Sequence, residues 1–98
     1  MRTLALMLAL LVAQPTVADQ KLAEKKNCLA CHSVKEKVVG PAFKDVAAKY
    51  AGQADATEKL AEKIMKGGSG VWGSMAMPPN DVTAVEAQTL ASWVLSLK

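Results

Sequence analysis

The sequence predicts a small all-α domain of about four to five short helices. Three observations support this fold class. Apolar residues recur at helical spacing between residues 19 and 98, and residues that start or stop helices delimit each such stretch. No segment alternates apolar and polar residues over a useful strand length. A chain of this size forms a single domain.

The first 18 residues have the pattern of a secretory signal peptide. Met1-Arg2-Thr3 is a short basic start, residues 4–13 are an unbroken apolar run, and Thr16-Val17-Ala18 supplies small residues before a cut. Ten apolar residues are about half of what a bilayer-spanning helix needs, so we expect cleavage after Ala18 rather than a retained anchor. Removing 18 of the 98 residues leaves one domain of 80 residues, 19–98.

The first two helices of that domain are predicted on either side of a break at Gly40-Pro41. Asp19 is the expected N-cap of the first helix, which continues into a cysteine motif. The second helix has an apolar face and stops at Gly52. Its apolar residues are Phe43, Val46, Ala47 and Tyr50.

The last two helices each begin with a capping signal. Asp55, with Glu58 three residues later, precedes an apolar set that is followed by glycines from Gly67 onward. Thr83 and Glu86 form a predicted capping box for the final helix, which Lys98 closes. The apolar residues of the two helices are Leu60, Ala61, Ile64 and Met65, then Leu90, Trp93, Val94 and Leu97.

Cys28-Leu-Ala-Cys31-His32 is the strongest functional signal, because Cys-x-x-Cys-His is the attachment pattern of c-type haem. On a helix, these three residues stand at i, i+3 and i+4, so they project from one face. The thiols can add to the haem vinyl groups, and one nitrogen of His32 can bind the iron. The sequence therefore predicts helices wrapped around one covalently bound haem c.

Three other interpretations of the motif are less favoured. A thioredoxin-like dithiol normally accompanies a βαβ pattern, which this chain lacks. A structural zinc site takes four ligands, whereas the chain has two cysteines and one histidine. A simple disulfide would leave the adjacent His32 unexplained.

A methionine is the candidate for the second axial position of the iron, because its soft thioether raises the reduction potential. Met65 lies in the apolar stripe of a helix and is interpreted as core packing. Met75 and Met77 lie in residues 67–80, an apolar stretch with four glycines and two prolines that we expect to wrap a ligand. Spacing does not separate these two, but Pro78 restricts the residue before it and so favours Met77.

Over residues 19–98, the chain resembles the small bacterial class I cytochromes c of the c-551/c-552 type. The resemblance rests on six segments: Cys28-Leu-Ala-Cys31-His32, Val39-Gly40-Pro41-Ala42, Asp45-Val-Ala-Ala-Lys49-Tyr50, Gly70-Val71-Trp72-Gly73, Met77-Pro78-Pro79-Asn80 and Leu90-Ala-Ser-Trp93-Val94-Leu95. The glycine–tryptophan segment followed by Met-Pro-Pro-Asn is far more specific than the cysteine motif.

The resemblance implies a role for several further residues. Met77 would be the axial ligand, and the Pro41 carbonyl would accept a hydrogen bond from His32. Trp72 would donate its indole N–H to a haem propionate, and Asn80 would donate near the Met77 sulfur. Lys63 stands where some members carry a propionate-binding arginine, and because lysine lacks the bidentate fork we interpret it as a solvated helix residue. Trp93 is interpreted as packing between the terminal helices.

The predicted function is single-electron transfer in the periplasm rather than enzymatic catalysis. The resemblance implies a quinol-oxidising complex or another cytochrome as donor, and a terminal oxidase or periplasmic nitrite reductase as acceptor. The formal net charge is +3, and the basic residues form no block, so we expect no nucleic-acid binding. We also expect a monomer without stable membrane insertion. The alternative is a haem enzyme or sensor with a labile Met77, which the lack of a second histidine disfavours.

Overall fold

The computed structural model describes residues 17–97 and is all-α, as predicted. It contains α1 (Val17–Lys25), a single turn of 3-10 helix (Cys28–Ala30), α2 (Phe43–Tyr50), α3 (Ala56–Lys66) and α4 (Ala84–Ser96). Within these residues there is no β-strand, only two isolated bridges, His32 with Lys37 and Gly68 with Met77. No helix in residues 17–97 is long and apolar enough to cross a bilayer. The predicted signal peptide lies outside the described residues except for Val17 and Ala18.

The structure of α1 differs from the prediction at both ends. The helix begins at Val17, so Asp19 lies in its first turn and is not the N-cap. A carboxylate in that turn still interacts favourably with the helix dipole. The helix also stops at Lys25 instead of continuing into the cysteine motif, because Asn27 adopts a left-handed conformation with φ of 62°. Asparagine tolerates this conformation better than most residues.

The predicted extents of α2 and α3 are confirmed. Asp55 is the N-cap of α3, but its side chain caps no backbone N–H and instead lies 3.4 Å from Lys59 Nζ on the surface. The C-cap of α3 is Gly67. Met65, predicted to be in the core, is 37 % exposed, because the buried face of α3 is formed by Leu60 and Ala61.

The capping box of α4 is present as predicted. The Glu86 N–H donates to Thr83 Oγ1 at 3.1 Å, and the Thr83 N–H donates to Glu86 Oε1 at 3.0 Å. Lys26 Nζ, just after α1, donates to the Asp81 carbonyl at 3.0 Å and lies 3.7 Å from Glu86 Oε1. The Thr83 N–H, with a smaller effect from Lys26, lowers the pKa of the Glu86 carboxyl. These contacts join the end of α1 to the start of α4.

Helix α4 is the centre of the core, since it packs against α1, α2 and, most extensively, α3. Trp93 is 3 % exposed, which confirms that it packs in the core. Its ring meets the Phe43 ring of α2 edge-on, with centroids 5.4 Å apart and an interplanar angle of 77°. The buried apolar residues of α4 are Ala87, Leu90, Ala91, Trp93 and Val94.

We predict that Thr83→Ala lowers the free energy of unfolding by about 1 kcal/mol, because the Glu86 N–H loses its acceptor at the start of the helix on which the core is built. Urea denaturation followed by circular dichroism measures this change. Ser92→Ala, at an exposed interior position of α4, is the matched control and should change stability by less than about 0.5 kcal/mol. Equal effects of the two substitutions would show that the capping box contributes nothing of its own.

Candidate haem-binding site

The cysteine motif lies on a tightly wound segment that follows Asn27. The Cys31 N–H and the His32 N–H both donate to the Cys28 carbonyl, at 3.3 and 3.0 Å. This winding brings Cys28, Cys31 and His32 to the wall of one cavity of about 750 Å³. The volume falls within the range of about 300–1,000 Å³ that is usual for ligand sites.

The orientation of His32 is fixed by one hydrogen bond. Its Nδ1 lies 2.8 Å from the Pro41 carbonyl oxygen, which is the contact that the resemblance implies. Because a carbonyl only accepts, Nδ1 carries the proton and Nε2 keeps its lone pair. The structure therefore presents Nε2 as a nitrogen able to bind a metal.

Gly40 and Phe43 pack against the His32 ring. A Cβ on Gly40 would overlap Cε1 of the imidazole and would lie 2.8 Å from Nδ1 and 2.9 Å from Nε2. The Phe43 ring stacks on the imidazole, with centroids 4.8 Å apart and an interplanar angle of 21°. From spacing alone Phe43 was assigned only to the core, and nothing local in the sequence indicated that its ring also contacts His32.

The two loop methionines differ in how firmly they are held, although both line the cavity. The Met77 backbone makes a reciprocal pair of hydrogen bonds with Gly68, at 2.8 and 3.0 Å, and its side chain is half-buried. Met75 is 72 % exposed and makes no hydrogen bond to the other described residues. The structure thus places on the same cavity an imidazole held by the Pro41 carbonyl and a half-buried methionine whose backbone is hydrogen-bonded.

Trp72 and Lys63 add polar groups to the cavity wall. Trp72 is 45 % exposed, and Lys49 Nζ lies 5.3 Å from its ring centroid, within the range of a cation–π interaction. Lys63, predicted to be a solvated helix residue, is only partly exposed and lines the cavity beside Gly68. An indole N–H and an ammonium at the wall are suited to carboxylates such as haem propionates.

Asn80 does not make the predicted contact with the Met77 sulfur. Its side-chain Nδ2 donates to the Ile64 carbonyl at 2.9 Å and, more weakly, to the Pro78 carbonyl at 3.4 Å. The amide nitrogen is therefore engaged by backbone carbonyl oxygens. Asn80 also does not line the cavity. It fastens the segment after Met77 to the C-terminal turn of α3.

The alternative uses of the motif fit this geometry less well. Burial raises the pKa of the Cys28 thiol, which disfavours the thiolate that disulfide exchange needs. Within residues 17–97, no group of three or more His, Cys, Asp or Glu side chains could hold a metal ion. A largely apolar cavity with two thiols, a free imidazole nitrogen and a thioether fits a covalently attached haem instead.

Comparison with known proteins shows the family to which the chain belongs. Residues 18–98 match the model of the cytochrome c family. The chain is 60% identical to cytochrome c-552 of Hydrogenobacter thermophilus over 85% of both sequences. It is 58% identical to cytochrome c-552 of Nitrosomonas europaea over 92% of this chain and 88% of that protein. It is 56% identical to cytochrome c-551 of Pseudomonas aeruginosa over 90% of this chain and 86% of that protein.

Solved structures show the same fold. The crystal structure of wild-type Nitrosomonas europaea cytochrome c552 superposes with a TM-score of 0.79, at 57% identity, over 81% of this chain and 99% of that one. The class 1 cytochrome MtoD of Sideroxydans lithotrophicus superposes with a TM-score of 0.70 at 31% identity, over 87% of this chain and 98% of that one.

The fold and the sequence similarity define a small class I c-type cytochrome of the c-551/c-552 type. The chain belongs to the cytochrome c family, whose cofactor is a covalently bound haem c with one iron, and it is an electron carrier.

We predict that Gly40→Ala forces the His32 ring away from the Pro41 carbonyl, because the added methyl group would occupy the space of the imidazole. Stability should fall by about 1–3 kcal/mol. In NMR spectra of the reduced holoprotein, the His32 Nδ1 proton should exchange with water faster than in the wild type.

Gly70→Ala is the control for this substitution. Gly70 has an unfavourable φ of 100° for alanine, but a Cβ there meets no atom within 4 Å. It should therefore lose stability without changing the exchange of the His32 proton. An unchanged Nδ1 proton in Gly40→Ala would contradict the proposed role of Gly40.

Proposed function

We propose that the protein carries single electrons in the periplasm on one haem c, attached by thioethers to Cys28 and Cys31 and ligated by His32 and Met77. The observation that carries this proposal is that one largely apolar cavity brings together the imidazole held by Pro41, the half-buried Met77 and the two thiols. When bound, the haem supplies an iron that alternates between the ferrous and ferric states.

Each ligand has a distinct role in this proposal. The Pro41 carbonyl keeps the proton on His32 Nδ1, so that Nε2 stays available to the metal and the ring cannot rotate. The Met77 thioether is a soft ligand that favours the ferrous state and raises the potential. Trp72 would donate its indole N–H to a haem propionate. Asn80 acts on the site through Ile64, by holding the end of the Met77 loop.

Ligation of the iron by both His32 and Met77 would favour electron transfer over catalysis. A substrate would have to displace His32 or Met77 before it could bind the metal. The chain also has no second histidine, and its one arginine, Arg2, lies in the predicted signal peptide, so the domain lacks the usual acid–base groups of a haem peroxidase. We therefore propose a carrier that is not an enzyme.

The compartment and partners follow from the sequence pattern and the resemblance. Residues 1–18 would direct export and be removed after Ala18, which leaves residues 19–98 as the periplasmic domain. The carrier would contact its partners transiently at the cavity mouth, where Val38, Val39 and Val71 are exposed. The donor would be a quinol-oxidising complex or another cytochrome, and the acceptor a terminal oxidase or nitrite reductase.

We predict that Met77→Ala abolishes the far-red sulfur-to-iron charge-transfer band of the oxidised holoprotein and lowers its potential. Loss of the thioether should also increase imidazole affinity at least about tenfold, equivalent to ~1.4 kcal/mol. Absorption spectroscopy and imidazole titration measure both effects.

Met75→Leu is the matched control, and it should retain the charge-transfer band and the wild-type imidazole affinity. The reverse pattern would make Met75 the ligand. Tight imidazole binding by the unmodified protein would favour the haem enzyme or sensor with a labile Met77.

We predict that replacing both Cys28 and Cys31 with serine abolishes covalent haem attachment and most of the holoprotein. Haem should then be extracted completely by acidified acetone, whereas it should stay with the wild-type polypeptide.

The wild-type chain without residues 2–18, produced in the cytoplasm, should also lack attached haem. Normal covalent holoprotein from the double variant would contradict the assignment of the thioethers, and attached haem in the truncated chain would contradict the assignment of the compartment.

A further inference from the structure

The segment that carries Met77 is fastened to the C-terminal end of α3 at two places. Gly68 and Met77 exchange two backbone hydrogen bonds, and the Asn80 backbone and side-chain N–H groups both donate to the Ile64 carbonyl, at 3.3 and 2.9 Å. Ile64 contributes one of the last four carbonyls of α3, which have no partner within the helix. Between these two attachments lie Pro78 and Pro79, which have no N–H to donate.

Gly67 lies at the closest approach of the two segments. A Cβ at this position would overlap the Met77 carbonyl oxygen and would lie 2.8 Å from the Pro78 carbonyl carbon and 2.9 Å from the Pro79 nitrogen. These neighbours are all backbone atoms, so a side-chain rotation cannot relieve the overlap. Gly67 also has a φ of 70° and a ψ of −163°, a conformation that is essentially restricted to glycine.

We propose that Gly67 is a positioning residue for Met77: the absence of a side chain lets the Met77–Pro78 backbone lie directly on the end of α3 and so fixes where the thioether lies. This inference rests on the proposed function, in which Met77 is the axial ligand. An added methyl group would push the Met77 carbonyl away from Gly67 and strain the two hydrogen bonds to Gly68. The thioether would move with its backbone.

Gly68 differs from Gly67 in what surrounds it. A Cβ on Gly68 would meet Lys63 Nζ at 2.7 Å, and this is the far end of a flexible side chain that can move away. Its φ of 143° also disfavours alanine. The same substitution at these two adjacent glycines is therefore expected to affect the ligand differently.

The test compares Gly67→Ala with Gly52→Ala in the oxidised holoprotein. Gly52 follows α2 and has a φ of 80°, close to that of Gly67, but a Cβ there meets no atom within 4 Å. Both substitutions should lower stability through backbone strain. Gly67→Ala, but not Gly52→Ala, should weaken the far-red charge-transfer band and raise imidazole affinity about tenfold or more. Gly68→Ala should change both the band and the affinity less than Gly67→Ala does.

Two results would overturn the proposal: wild-type imidazole affinity in Gly67→Ala, or an equal increase in Gly52→Ala. The Met77→Ala variant distinguishes failure of the positioning role of Gly67 from failure of the proposed ligation by Met77. If Met77→Ala loses the charge-transfer band and Gly67→Ala keeps it, only the positioning role is wrong. If Met77→Ala keeps the band, the ligation itself is wrong.

Amide hydrogen exchange tests the same inference in the wild-type holoprotein, should Gly67→Ala fail to accumulate. Displacement of Met77 by excess imidazole should accelerate exchange at the Gly68 and Met77 amides together. The Ala51 amide lies just beyond the end of α2 and donates to the Ala48 carbonyl. It should keep its exchange rate. If the Gly68 amide stays equally protected from exchange after imidazole has displaced Met77, the position of the thioether does not depend on the hydrogen bonds between Gly68 and Met77. That result would overturn the proposal.

Discussion

The hydrogen bond between His32 Nδ1 and the Pro41 carbonyl is the interaction on which the rest of the structure depends. It closes the loop between the cysteine motif and α2. Helix α2 begins two residues later at Phe43, whose N–H donates to the Ser33 carbonyl at 2.9 Å. The Phe43 ring then contacts both His32 and Trp93 of α4. One hydrogen bond therefore sets the tautomer of the proposed ligand and the point at which α2 joins the core.

Backbone groups contribute to holding both proposed ligands in place. His32 lies on Gly40 and bonds a carbonyl, and Met77 pairs with Gly68 on the end of α3. Backbone groups are fixed by the helices to which they connect, so they resist displacement better than long side chains. Glycine matters at positions 40 and 67, because a Cβ there would overlap the His32 imidazole or the Met77 carbonyl oxygen.

The sequence predicts well what depends on local signals. The extents of α2 and α3, the start of α4 and the Thr83 capping box follow from periodicity and capping residues within a few positions. Helix α4 ends at Ser96, before the predicted Leu97, and the predicted closing residue Lys98 lies outside the described residues. The exposure of Met65 and the amide contact of Asn80 differ from the prediction. Each of these side-chain environments depends on which part of the chain packs against the residue in the folded protein. The spacing of residues along one segment does not contain that information. The predicted roles at the site stand as proposals that the geometry accommodates.

The composition of the core gives the cavity a structural importance as well as a functional one. Seven of the 13 buried apolar residues among those described are alanines, which bury little area in a domain already near the lower size limit for a stable core. The large core residues Leu60, Leu90 and Trp93 also line the cavity. A haem c bound there is continuous with the core, so its apolar faces add burial that the alanines do not provide. Because a group that binds only the folded state stabilises it, we expect cofactor attachment and folding to be coupled in this protein.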